Sequence, residues 1–137
     1  MLDLNQLAED AISADEGAWL ELIDPVTNQT NGVRILLSGM DGKGWRDTKR
    51  KIDARRIQAA ARFGRRYKIT VEETENDALE LLSSCVLNWE GLTEKGSDVP
   101  CTKANAKRLL ELTPWIREQV DDFVGDRSNF LSRLSND

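Results

Sequence analysis

Residues 18–39 read "AWLELIDPVTNQTNGVRILLSG", and their pattern decides the fold class. Two short apolar runs, Ala18 to Ile23 and Val33 to Leu37, flank a polar segment with two turn-forming dipeptides, Asp24-Pro25 and Asn31-Gly32. Strand side chains alternate, so Val33, Ile35 and Leu37 fall on one face. The stretch predicts a β-hairpin. Asn28-Gln29-Thr30 has the form of a glycosylation sequon, which without a secretory route marks only a turn.

The chain beyond it is helix-patterned. "TVEETENDALELLSSCVLNW" (70–89) gives the strongest helical signal. Thr70 is placed to cap it, and Glu72, Glu73 and Glu75 fall in the first turns, where the helix dipole favours anions. Ala78, Leu82, Cys85 and Trp89 form one row, with Leu79 and Val86 alongside, so this stripe is expected at the centre of the core. Thr102 caps a shorter helix through Leu110 or Leu112. Thr113-Pro114 restarts the chain as a side-chain cap followed by proline at the first helical position. In that last helix, Ile116, Val120 and Phe123, with Val124, face inward. Gly125 would cost roughly 1 kcal/mol in a helix interior, so it bends the helix, ends it, or admits another backbone. "GDRSNF" (125–130) then reads as a cap or bend in which Asp126 and Asn129 bond nearby backbone. The expected core includes Leu82, Cys85, Val86, Trp89, Ile116, Val120 and Phe123. The four tryptophans, at 19, 45, 89 and 115, read first as packing residues.

The expectation is one α+β domain, mostly α, with an N-terminal β-hairpin packed on about four helices. Residues 1–16 form a weakly ordered segment or a short helix. "SADE" (13–16) is read as loop despite its capping-box form, because Gly17 follows at once. Residues 17–131 form the domain, "EGLTEKGSDVP" (90–100) is a loop, and 132–137 form a mobile C-terminal tail.

Composition excludes several function classes. The 137 residues contain no histidine, which removes Ser-His-Asp and Cys-His catalysis and His-containing zinc sites. Cys85 and Cys101 have no CxxC spacing and cannot alone make a structural zinc site. Cys85, among Leu81, Leu82 and Val86, reads as a small buried hydrophobe, and a disulfide is not expected. Acid–base chemistry from Asp, Glu, Lys or Tyr remains open in principle, but no constellation suggests a catalytic pair. "SGMDGKGWRD" (38–47) lacks P-loop spacing and serves to turn strand into helix. The expectation is therefore no enzymatic activity, no cofactor and no metal. No stretch approaches the roughly 20 apolar residues of a membrane span, and "MLDLNQLAED" lacks the basic and apolar regions of a signal peptide. A cytoplasmic protein is expected.

One segment stands apart in charge. Residues 43–68 hold 11 of the 19 Lys and Arg, with only Asp47 and Asp53 against them, on a chain of net charge −5. A helix is expected from about Gly44 to Arg66, with Trp45, Ile52, Ala59 and Phe63 recurring near helical spacing and Ala60 and Ile57 beside them. Its cations cannot all face the acidic helix 72–80, because they surround the axis. Lys49, Arg50, Arg55, Arg56, Arg62, Arg65 and Arg66 are the candidate partner-binding residues, with Arg127 and Phe130 from "DRSNF" as a second handle. Two readings compete. In one, the cations pair within the chain and serve a protein partner. In the other, the helix reads nucleic-acid phosphates in a small regulatory protein. A pI near 4.9 weighs against the second.

Three blocks carry a resemblance: "IDPVTNQTNGVRILLSG" (23–39), "ALELLSSCVLNWEGL" (78–92) and "PCTKANAKRLLELTPWIREQVDDFVGDRSNF" (100–130). In the order hairpin, basic helix, "NWEG", "PWIREQV", "DRSNF", the chain beyond residue 17 resembles the tail assembly chaperones of long-tailed phages. These small proteins are encoded just before the tape-measure protein. The resemblance implies a binding function without catalysis, exercised in the host cytoplasm during virion morphogenesis. The implied partners are the tape-measure protein and the tail-tube protein, whose subunits are recruited before the tube polymerises. Self-association is left open. It also implies a frameshifted longer form, of which a chain ending "LSRLSND" would be the short version. The partner is a long, apolar-striped helical chain, so the surfaces expected to hold it are helix 44–66 and helix 114–130.

Overall fold

The computed structural model describes residues 1–131; the expected tail, 132–137, lies outside them. The fold is α+β and mostly α, with five α-helices on a small antiparallel sheet among the described residues. The chain begins with α1 (Leu4–Glu16), whose first turn is capped by the Asp3 carboxylate accepting from the Asn5 N–H. "SADE" is therefore the last turn of a 13-residue helix and not loop, and Gly17, at φ 84°, ends it.

The expected hairpin forms from β1 (Ala18–Ile23) and β2 (Thr30–Leu37). Asp24 makes the turn: its side chain accepts from the Val26 N–H, and its carbonyl accepts from the Asn28 N–H. Asn31-Gly32 is not part of that turn. The register runs from Glu21 opposite Arg34 to Ile23 opposite Thr30, so Asn31, Gly32 and Val33 face the single residue Leu22 as a bulge.

The sheet has a third strand where the pattern predicted helix. The helix α3 (Val71–Ser84) stops before Cys85, and Val86–Glu90 forms β3, antiparallel to β2 in the order β1-β2-β3. Two causes end the helix, one local and one tertiary. The hydroxyls of Ser83 and Ser84 bond back to the carbonyls of Glu80 and Leu81, a local alternative to helix continuation. The Cys85 carbonyl then accepts from the Ser38 N–H at 2.8 Å, which commits the backbone to β2. Trp89 is buried, but by lying opposite Ile35 on a strand; Ala78, expected in the same row, is exposed. The loop 90–100 contains a second hairpin, β4 (Thr93–Glu94) and β5 (Ser97–Asp98), closed by Lys95 and Gly96 at φ 52° and 82° as a two-residue primed turn.

The helices stack in sequence across one sheet face. α2 (Lys43–Phe63) packs on α3, α3 on α4 (Lys103–Leu112), α4 on α5 (Pro114–Gly125), and α5 returns to β1. Gln119 of α5 clasps the backbone of Ile23: its amide accepts from the N–H at 2.9 Å and donates to the carbonyl at 2.7 Å. Leu22, Ile35, Leu37, Leu79, Leu82, Cys85, Trp89, Leu110, Ile116, Val120 and Val124 dominate the core. Val86 and Phe123 only pack against its edge; Val124 takes the place expected for Phe123, in step with Ile116 and Val120 at a spacing of four. Thr102 caps α4 as expected, but Thr113 makes no side-chain cap; its carbonyl accepts from Ile116 and Arg117. Both cysteines are free thiols.

Candidate functional site

α2 is 21 residues long yet buries one side chain, Ile52. A helix this polar is held by its charges and ends rather than by an apolar stripe. Its start is fixed by Asp15 of α1, whose carboxylate accepts from the Lys43 N–H at 2.6 Å. Its flank is fixed by α3, whose own start carries a capping box between Thr70 and Glu73.

The ion pairs sort the nine candidate residues. Arg55 binds Glu80 at 2.6 Å. Arg56 donates to Glu73 at 3.0 Å, to Tyr67 and to Asp77, and the hydrogen bond to Asp77 raises its pKa further above the ordinary guanidinium value. Both arginines therefore join α2 to α3. Lys49 pairs with Asp53 and Arg50 with Asp47 within α2 itself. Arg62 lies over the Phe63 ring at 5.3 Å. Arg127 pairs with Asp41 at 2.7 Å. Phe130 is 4% exposed, edge-on to Phe123 with ring centroids 5.5 Å apart, so it is docked in its own chain and is not a surface handle. Its carbonyl accepts from the Ser13 hydroxyl, which ties α1 to the end of the domain. As anticipated, Asp126 binds the Ser128 N–H and Asn129 donates to the Phe123 carbonyl. Of the nine, Arg62, Arg65 and Arg66 have no ion pair among the described residues, and Arg62 has the Phe63 ring contact in its place.

A valley of about 930 Å³ lies between α2, α3 and the start of α4. Seven Lys and Arg side chains line it against three carboxylates, Glu73, Asp77 and Glu80. Those three are the groups already bound by Arg55 and Arg56. The other five cations, Lys51, Arg66, Lys68, Lys103 and Lys107, have no ion pair among the described residues. Its apolar lining comes from Ala59, Phe63, Val86 and Ala104. Four of the five open cations were absent from the sequence-based set. The missed signal is Lys103 and Lys107, which share a helix face four residues apart directly after the Thr102 cap. The other expected surface, α5, turns Ile116, Val120 and Val124 into the core.

Among the described residues, no group of three or more His, Cys, Asp and Glu is arranged to hold a metal ion. Cys85 is a poor nucleophile, since burial pushes its thiol up to about 11. Among the described residues, no helix is long and apolar enough to cross a membrane. Comparison with protein-family models, with characterised proteins and with solved structures returns no match.

Proposed function

We propose that this chain is a tail assembly chaperone of a long-tailed phage, binding the tape-measure protein and recruiting tail-tube subunits in the host cytoplasm. The order of sequence blocks at 23–39, 78–92 and 100–130 suggests the family. The observation that carries the reading is the cationic, apolar-lined valley beside α2 on a chain of net charge −5. Cations lining a groove beside apolar side chains suit an amphipathic helix laid in it. The nucleic-acid alternative loses its best residues, because Arg55 and Arg56 are bound to α3 carboxylates.

The test is affinity capture with tagged chain in cells expressing the phage tail genes, with bound proteins identified by mass spectrometry. Stoichiometric tape-measure protein is expected. Capture of nucleic acid in its place, lost at high salt, would overturn the proposal.

A further inference from the structure

We infer that the valley between α2, α3 and the start of α4 takes an acidic, apolar-striped α-helix, read by Lys51, Arg66, Lys68, Lys103 and Lys107. The inference rests on the proposed chaperone reading and names the partner chemistry of that site. Charge gives the sign of the partner. The valley's carboxylates are neutralised by Arg55 and Arg56, while the five other cations have no ion pair among the described residues. An acidic ligand meets a positive field there, although the chain as a whole is acidic.

The walls give its conformation. Apart from the coil at Tyr67 and Lys68, they are helices whose backbone groups bond internally, and the edge strand β3 reaches the valley only with its first residue, Val86, too short an edge to pair an extended peptide along it. A ligand must therefore satisfy its own backbone hydrogen bonds, which a helix does. From Thr48 to Phe63 the α2 wall runs about 22 Å, the length of four turns of a partner helix. The lining gives the stripe: Phe63, Ala59, Val86 and Ala104 offer apolar contact to side chains at i, i+3/i+4 and i+7. A sugar–phosphate backbone gains nothing from that lining and meets a net negative protein at longer range.

The experiment uses the full chain and a synthetic peptide of about 18 residues, with Leu on one helical face and Glu elsewhere. Its companions are the same composition shuffled to break the stripe, and a single-stranded DNA of similar charge. The striped peptide is expected to bind with salt-sensitive affinity, at least tenfold tighter than the shuffled one. Lys51→Glu with Lys107→Glu, on opposite walls, is expected to cost tenfold or more at unchanged Tm, and Lys95→Glu, in the β4–β5 turn and outside the valley, to cost nothing. If that double variant does not fold, Lys51→Gln with Lys107→Gln reads the same loss. Equal binding of the shuffled peptide, DNA bound in preference, or unchanged affinity in the double variants would overturn the inference. Tape-measure capture separates the two claims. A wild-type chain that binds the striped peptide but not the tape-measure protein sinks only the proposed function. A Lys51/Lys107 variant that still captures it sinks only the valley as its site.

Discussion

Arg56 on α2 donates to Asp77 on α3, and the same guanidinium also reaches Glu73 and Tyr67. The most basic segment of the sequence is thus partly an internal fastener. Its open positive surface is displaced toward α4.

Removing that fastener leaves Asp77 without its main counter-charge. Arg56→Ala is expected to lower the urea midpoint clearly more than Arg50→Ala, whose partner Asp47 lies on its own helix. Equal midpoints would show that the Arg56 contacts do not join the helices.

The break between α3 and β3 separates neighbours that a continuous helix would treat alike. Leu82, at 4% exposure, is expected to cost about 2–5 kcal/mol when truncated to alanine. Ala78→Ser, on the exposed side, should stay within about 0.5 kcal/mol. A large loss at Ala78 in urea unfolding would restore the helical row.

The periodicity of 70–89 explains why that row misled. Leu82, Cys85 and Trp89 satisfy a helical stripe, and the last two satisfy a strand entering the sheet equally well. What decides is the serine pair at 83–84 and a β2 edge that needs a partner, and the second is a tertiary fact. The hairpin was legible because Val33, Ile35 and Leu37 alternate over their whole length. Residues 1–16 were harder, since α1 buries only Asp10 and Ala14 and leaves most of its length exposed. The binding surface was legible in charge but not in residue choice. Nothing local told that Arg55 and Arg56 would meet α3, or that Lys103 and Lys107 would complete the valley.

The two thiols provide a pH test. Burial raises both, Cys85 the more, and only Cys101 is partly exposed. A raised thiol favours the folded state fully below the unfolded thiol pKa, near 8.5, and loses that contribution as pH climbs through the folded value. Stability is therefore expected to fall from about pH 8.5 toward 11, less steeply in Cys85→Ala. At neutral pH, a thiol reagent should label Cys101 in the native protein and Cys85 only after unfolding. Rapid native labelling of both would contradict the packing around Cys85.

Phe130 closes the domain over Gly39, where an added Cβ would sit 3.0 Å from the aromatic ring. Phe130→Ala is expected to cost about 3–5 kcal/mol, and Gly39→Ala to destabilise by pushing that ring outward. Thermal unfolding of both variants checks this. Wild-type stability in either would mean that the ring is not seated there.

The proposed chaperone role requires this chain to hold a long apolar-striped helical protein in solution. Its most direct measurement is the soluble fraction of the phage tape-measure protein, expressed with and without the chain in the same cells. The account predicts that the tape-measure protein is soluble and co-purifies when the chain is present, and aggregates when it is absent. Equal aggregation in both cases, with no complex recovered, would contradict it.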